Sequence, residues 1–122
     1  MTKKILSILF ISTAICFNFQ LKAQNPDAAV EEIVMPNFIP AGTNNVNIKF
    51  KNAGTSSYTG ITLNWSIDGG ATVNSYSINF PFAPGLSLTS AHGTQLTVAN
   101  PGTFVDLKVW TSNPGGMTDV NT

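Results

Sequence analysis

The stretch "NVNIKFKNAGTSSYTGITLNWSIDGG", residues 45–70, decides the fold. In its first part Val46, Ile48 and Phe50 share one phase, while asparagine and lysine occupy the alternate positions. Its later part repeats this alternation. The apolar positions there are Ile61, Leu63, Trp65 and Ile67. A period of two is typical of half-buried β-strands, because successive side chains point to opposite faces of a sheet.

Turn residues separate such runs along the whole chain. Asp68-Gly69-Gly70 is a hairpin signal, since tight hairpin turns require positive φ angles. Proline and glycine mark further corners at 81–85, 99–102 and 113–116. We predict strands at 28–34, 45–51, 61–67, 72–80, 86–97 (with a possible break at 91–93) and 104–111. A phase change near Asn74 predicts a bulge in the fourth strand.

The predicted fold class is all-β, an antiparallel β-sandwich of immunoglobulin type. Several short strands with turn signals between them favour this architecture, and no stretch after residue 23 has a helical pattern. A seven-stranded sandwich needs one strand more than the six predicted here. We therefore expect a C-terminally truncated domain whose final strand would follow Thr122.

The first 23 residues have the pattern of a secretory signal peptide. Lys3 and Lys4 precede a thirteen-residue apolar run at 5–17, and Ala23 supplies a small residue for cleavage. The apolar run is shorter than the roughly 20 residues of a membrane span, and an uncleaved anchor helix or an amphipathic core helix is the alternative. We expect cleavage after Ala23, export, and a mature domain of residues 24–122 that is secreted or held at the cell surface.

A lipoprotein signal is a variant of this interpretation. Cys16 is the single cysteine of the chain, but the residue before it is Ile15, where lipid attachment requires a small side chain. The mature domain has no cysteine, so it can form no disulfide and must be stabilised by its core.

The charge of the mature domain limits the classes of partner that we expect it to bind. It has three lysines, six acidic residues and no arginine, a net charge of −3. Nucleic acids and anionic membranes bind clustered cations. We therefore predict no binding to nucleic acid or to anionic lipid. We also predict no membrane span in the mature chain. The expected partners are a protein or glycan at the cell surface, or neighbouring domains of a longer chain.

Catalytic chemistry is not predicted from these residues. His92 is the single histidine, in a loop or strand break where we expect it to be exposed, and no second metal ligand accompanies it. Glu31 and Glu32 are adjacent on a predicted strand, so their carboxylates point to opposite faces and cannot flank a common cleft. We predict no enzyme activity and no required cofactor.

Calcium is the inorganic ligand that the sequence suits best. Asn113, Asp119 and Asn121 offer hard oxygen ligands in the C-terminal segment. The segment lacks a spaced run of acidic residues, so the favoured interpretation is that Asp119 and Asn121 form Asx-turns.

Aromatic side chains are the candidates for ligand contact. Trp65 lies in the apolar phase of its strand and is predicted to be core. Trp110 shares its phase with charged residues, so it is a candidate for stacking on a sugar ring or anchoring a partner. The favoured alternative is that it covers the edge of the core or packs against the absent final strand. Tyr58 and Phe82, in predicted turns, are weaker candidates of the same kind.

Several of these features together resemble the bacterial cell-adhesion-related domain, CARDB. They are the Asn52-x-Gly54 pair, the strand with Trp65, the Pro84-Gly85 corner and the segment at 110–121. The resemblance covers residues 45–122. The style of the signal peptide and the richness in asparagine and threonine are also similar to secreted proteins of Bacteroidetes-type bacteria. In such a protein, the glycosylation pattern Asn64-Trp65-Ser66 is a chance match.

The resemblance implies a non-catalytic role in a larger secreted or surface protein. We expect an extracellular interaction or adhesion module. The alternative is a passive spacer or accessory domain of a larger secreted hydrolase.

Overall fold

The computed structural model describes residues 26–100, 102 and 104–119. Eight strands and one short 3-10 helix form there, and no α-helix does. The strands are β1 (Ala28–Ile33), β2 (Gly42–Asn44), β3 (Asn47–Asn52), β4 (Tyr58–Ser66), β5 (Asn74–Phe82), β6 (Ser87–Ala91), β7 (Leu96–Val98) and β8 (Lys108–Ser112); the 3-10 helix is Pro114–Gly116. The all-β prediction is confirmed.

The strands form an antiparallel sandwich. One sheet has the order β1-β3-β6 and the other the order β5-β4-β8, while β2 and β7 form a two-stranded ribbon. The core lies between the two larger sheets. Its fully buried large apolar side chains come from both of them and from the ribbon: Val46, Ile48, Phe50, Leu63, Phe82 and Leu96.

The two-residue alternation correctly predicted the inner face of the sandwich. Val46, Ile48 and Phe50 are fully buried, and the intervening residues of β3 are half-buried. In β4, Trp65 is buried as predicted. Ile67 is exposed because β4 ends at Ser66, so the alternation no longer reflects a sheet face there.

Asn52 joins the two sheets at one end of the sandwich. Its side-chain amide donates to the carbonyl oxygen of Phe82 in the opposite sheet (3.1 Å) and to that of Ser56 (2.9 Å), and its Oδ1 accepts from the N–H of Gly54 (3.0 Å). Its backbone N–H donates to Leu86 and its carbonyl accepts from Gly85. The Asn52-x-Gly54 pair is therefore an Asx-turn with a second function, since the same amide also bridges the sheets.

The β4–β5 hairpin turns at the predicted Asp-Gly-Gly. Gly69 and Gly70 both have positive φ, 71° and 100°, which glycine adopts without strain. The carboxylate of Asp68 accepts from the hydroxyl of Ser66 and from the N–H of Thr72 (2.9 Å). These hydrogen bonds hold the pKa of Asp68 well below its ordinary value.

The observed strands differ from the predicted ones at several places. β4 begins at Tyr58 rather than 61, and β5 extends to Phe82 rather than 80. The strand predicted at 86–97 is divided into β6 and β7, with the gap at 92–95. β2 was not predicted, because three residues give too short a pattern. The last predicted strand begins at 108 rather than 104, since residues 104–107 pair with no neighbouring strand that the structure describes. The predicted bulge near Asn74 is wrong: the irregularity between β4 and β5 lies at Gly60, whose φ is 87°. The predicted signal peptide and the strand expected after Thr122 lie outside the described residues.

Candidate functional site

Tyr58 and Phe82, two of the predicted contact residues, belong to the core. They lie directly opposite each other in the β4–β5 ladder, and their rings stack with centroids 5.5 Å apart. Phe82 is fully buried and Tyr58 almost so. The prediction of ligand contact is wrong for both. The neighbouring turn signals predicted loop positions, whereas the pairing of β4 with β5 places both side chains in the core.

The Tyr58 hydroxyl is buried without a hydrogen-bond partner among the described protein groups. Burial raises its pKa to about 12, and the carboxylates of Asp119 and Asp27 add to the shift. Both effects disfavour the phenolate. Tyr58 is therefore a neutral core side chain over the pH range in which proteins normally work.

Trp110, the third predicted contact residue, is half-buried on the other face of its sheet. It pairs with Asn64 across the β4–β8 ladder, and Lys108 Nζ lies 5.3 Å from the centroid of its ring. Tyr58 and Phe82 come together in the core, and Trp110 does not join them there. Contact between Trp110 and a partner stays a prediction.

His92 is buried, with only 3% of its surface exposed, so the expectation of an exposed histidine is wrong. Its Nδ1 accepts from the indole N–H of Trp65 (3.1 Å) and from the N–H of Thr94 (3.0 Å). Both of these groups can only donate, so the ring proton is on Nε2, which donates to the carbonyl of Leu63 (3.2 Å). The imidazole is occupied by structural hydrogen bonds and is not placed for catalysis.

Asp119 is buried and is held by protein groups. One carboxylate oxygen accepts from the N–H of Ala28 (3.4 Å), and the other accepts from the hydroxyl of Thr111 (3.0 Å). These two bonds join Asp119 to β1 and β8. Calcium binding at this carboxylate stays a prediction. Asn113 is exposed, with a left-handed φ of 52° before the 3-10 helix, and Asn121 lies outside the described residues.

Metal-binding and glycosylation patterns find no support in the described part of the chain. No group of three or more His, Cys, Asp or Glu side chains lies together there. Asn64, in the glycosylation pattern, is 4% exposed; its amide donates to Ser112 Oγ (2.9 Å) and its Oδ1 accepts from Ser75 Oγ (2.7 Å). A glycosyltransferase cannot reach a side chain that is buried and hydrogen-bonded in this way.

The most exposed apolar side chains lie at one end of the sandwich, in two loops. Phe38 is 92% exposed and Phe104 is fully exposed, at 106% of the reference value. Phe38 lies between β1 and β2, and Phe104 lies between β7 and β8. The β2–β7 ribbon holds the two loops together, because Gly42 and Val98, at which the loops leave it, are paired.

A groove of about 140 Å³ lies between these loops. Its lining residues are Asn37, Ile39, Val98, Phe104 and Val105. No charged side chain is among them. We call Phe38, Phe104 and this groove the loop-end surface. None of these residues was among the contacts predicted from the sequence. The available signal was a large aromatic side chain within each of two stretches that contain proline and asparagine.

A second groove, of about 230 Å³, lies between β1 and β8. At one point Thr111 Oγ1 lies 3.0 Å from the Ala28 carbonyl, and Asp119 bonds both residues. Strand β1 contributes Ala28, Ala29 and Val30, and β8 contributes Val109, Trp110 and Thr111. Its walls are therefore uncharged, and those from β1 are small.

Comparisons with protein-family models, with curated proteins and with solved structures give no match to this chain. The resemblance to CARDB therefore stays a prediction from the sequence. Across the described residues, no helix has the length and apolar character needed to span a membrane.

Proposed function

We propose that this protein is a non-catalytic interaction module, exported from the cell and similar to CARDB, and that it binds its partner through the loop-end surface. The single observation that carries the proposal is the nearly complete exposure of Phe38 and Phe104 on two chain segments that the same ribbon holds together. Large exposed aromatic side chains beside a groove mark interaction sites more often than isolated surface residues do.

The chemistry of the loop-end surface favours an uncharged partner. Of the side chains that line the groove, Asn37 carries an amide and the other four are apolar. Asp106 and Lys108 follow in the chain beyond it, and the described residues contain three lysines in all, Lys49, Lys51 and Lys108, against six acidic residues. A neutral glycan or an apolar protein patch meets these conditions.

Retention on immobilised material tests the proposal. The purified protein is applied to cellulose, chitin, xylan, collagen and fibronectin, and compared with the double variant Phe38→Ala/Phe104→Ala. We expect retention on at least one material and a loss of at least tenfold in the double variant. The matched control is Ile67→Ala/Val73→Ala, which removes two other exposed apolar side chains, at 45% and 46% exposure, near the β4–β5 turn.

Two results would contradict this function. Wild-type protein that none of the materials retains would favour the passive spacer. Equal retention of the wild type and of the Phe38/Phe104 double variant would place the contact elsewhere on the molecule. Circular dichroism of each variant shows whether the sandwich is intact.

Export is a separate part of the proposal and has its own measurement. We expect mass spectrometry of the protein from the culture medium or the cell surface to give an N-terminus at Gln24, directly after the predicted cleavage site. Protein found inside the cell with Met1 still present would contradict export through a cleaved signal peptide. A lipid on Cys16 would instead support the lipoprotein alternative.

A further inference from the structure

Oxygen atoms from separate parts of the chain meet where β1 begins. Thr111 Oγ1, in β8, lies 3.0 Å from the carbonyl oxygen of Ala28 and 3.0 Å from Oδ2 of Asp119. The other oxygen of the Asp119 carboxylate lies 3.4 Å from the N–H of Ala28. Thr111 has one hydroxyl proton for two acceptors, so its own oxygen keeps lone pairs that can face a cation.

Asp27 brings a second carboxylate to this end of the sandwich. It directly precedes Ala28, the residue to which Asp119 is bonded. Its backbone carbonyl is fixed by the N–H groups of Ala53 and Gly54, at 3.0 and 3.3 Å. The two aspartates therefore lie close together on a backbone that is held in place.

Tyr58 approaches the same end from the opposite sheet. It pairs with Phe82, and the carbonyl of Phe82 accepts from the side-chain amide of Asn52 (3.1 Å). Asn52 in turn pairs with Ala28. The Tyr58–Phe82 pair thus lies across the core from the Ala28–Asn52 pair, and the inward side chain of Tyr58 faces the start of β1.

The Tyr58 hydroxyl is the buried side-chain group that lacks a hydrogen-bond partner in the part of the chain that the structure describes. The residue is only 6% exposed, so bulk water does not compensate for the missing bond. Burial raises its pKa to about 12, and the negative charges of Asp119 and Asp27 raise it further, as carboxylates near a hydroxyl do. An unpaired hydroxyl beside two carboxylates points to a bound group that attracts all three.

We propose that a calcium ion binds between Asp27 and Asp119, with the hydroxyl of Tyr58 as a neutral ligand. Thr111 Oγ1 and the Ala28 carbonyl complete a set of protein ligands that consists of oxygen alone, which favours a hard cation. Calcium takes about six to eight oxygen ligands in flexible geometry, whereas magnesium demands a near-ideal octahedron and keeps several waters.

This site differs from the calcium site that the sequence suggested. It keeps Asp119, but Asp27 and Tyr58 take the places of Asn113 and Asn121. It contains two carboxylates and not a cluster of three acidic side chains, so neutral oxygens make up the rest. Such a site should be weak, with a Kd of about 10⁻⁴ to 10⁻³ M, the range found in extracellular modules.

Calorimetric titration of the protein with calcium chloride and with magnesium chloride, at equal ionic strength, tests the proposal. We expect one calcium ion to bind, and magnesium to bind about tenfold more weakly. Tyr58→Phe removes the neutral ligand and keeps the ring, and should weaken calcium binding about fivefold. Asp27→Asn should weaken it at least about tenfold.

Two matched controls should bind calcium like the wild type. Tyr76→Phe removes a tyrosine hydroxyl from an exposed position on β5, and Glu32→Gln removes an exposed carboxylate from β1. Melting temperatures give a second readout that each variant supplies against its own calcium-free value. We expect calcium at about ten times Kd to raise the melting temperature of the wild type by about 5 °C, and that of Tyr58→Phe and Asp27→Asn by less.

Four results would overturn the proposal. They are a wild type that binds no calcium up to about 10 mM, as a buried water at Tyr58 would give, equal binding of magnesium, unchanged binding by Tyr58→Phe, and a loss in Glu32→Gln as large as that in Asp27→Asn. The site lies at the start of β1, whereas Phe38 follows the end of this strand. The Phe38/Phe104 double variant should therefore bind calcium normally, so this test is independent of the loop-end surface.

Discussion

Trp65 and His92 are 27 residues apart in the chain, and the indole N–H of Trp65 donates to Nδ1 of His92 at 3.1 Å. The same imidazole reaches the Leu63 carbonyl through Nε2, while the backbone N–H of His92 donates to the carbonyl of Val46 (2.8 Å). Because Val46 precedes β3 and Leu63 lies in β4, this one residue connects both sheets. It does so in a core that has no disulfide within the described residues.

His92→Phe should therefore destabilise the domain although it keeps an aromatic ring. The replacement removes the acceptor of the Thr94 N–H and the donor to the buried Leu63 carbonyl, and leaves the indole N–H of Trp65 only its longer bond to the Thr94 carbonyl (3.3 Å). We expect these losses to lower the free energy of unfolding by about 2 kcal/mol. Urea unfolding followed by tryptophan fluorescence measures it. Gln95→Ala, at an exposed neighbouring position, is the control and should change the value by less than about 0.5 kcal/mol. Equal stability of His92→Phe and the wild type would show that the connection is dispensable.

Asn52→Asp should be more damaging than its small change in shape suggests. A carboxylate cannot donate to the carbonyls of Phe82 and Ser56, and the charge would be buried. We expect a loss of about 3 kcal/mol in the free energy of unfolding at neutral pH. Asn44→Asp removes two amide donations of similar length at a solvent-exposed site and should cost under about 1 kcal/mol. Similar losses in the two variants would refute the bridging role of Asn52.

Tyr58→Phe should be close to neutral at pH 7, because the hydroxyl it removes is buried without a described partner. Its effect should appear at alkaline pH. The pKa of Tyr58 is raised to about 12 in the folded protein, so the phenolate forms more readily in the unfolded chain, and the contribution of Tyr58 to stability is lost as the pH rises from about 10 towards 12. Melting temperatures between pH 8 and 11 should fall less steeply in Tyr58→Phe than in the wild type. Parallel curves would contradict the burial of a neutral hydroxyl.

Asp68→Asn should weaken the β4–β5 hairpin at neutral pH more than at acidic pH. The pKa of Asp68 is lowered by its bonds to Ser66 and Thr72, so the ionised carboxylate stabilises the fold above the ordinary pKa of an aspartate, about 4, and this contribution declines as the pH falls below it. Melting temperatures at pH 7 and pH 3 should therefore differ less in Asp68→Asn than in the wild type. Glu32→Gln, at an exposed carboxylate on β1, controls for the change in net charge.

Local alternation was sufficient to predict the inner face of the sandwich. Val46, Ile48 and Phe50 could be placed in the core from three neighbouring positions of one strand, since the faces of a strand follow from its period of two. The Asp-Gly-Gly turn was equally local. These features depend on residues that are close in the sequence, and they are the ones that the structure confirms.

The errors involve residues whose surroundings come from distant parts of the chain. His92 appeared to be a loop residue, and its burial depends on Trp65 and Leu63 in another strand. Tyr58 and Phe82 stand beside turn signals but face each other once β4 and β5 pair. The segments that carry Phe38 and Phe104 are held together by the short β2–β7 ribbon, which was not predicted.

Footprinting of the bound protein tests the loop-end surface most directly. On the material that retains the protein, hydroxyl-radical oxidation of each aromatic side chain is compared between the bound and the free state. We predict that Phe38 and Phe104 are both protected at least fivefold on binding, while Tyr76 and Phe80, which are exposed elsewhere on the sandwich, are oxidised as in the free protein. Unchanged oxidation of Phe38 and Phe104 in a protein that is demonstrably bound would contradict the proposed role of the loop-end surface.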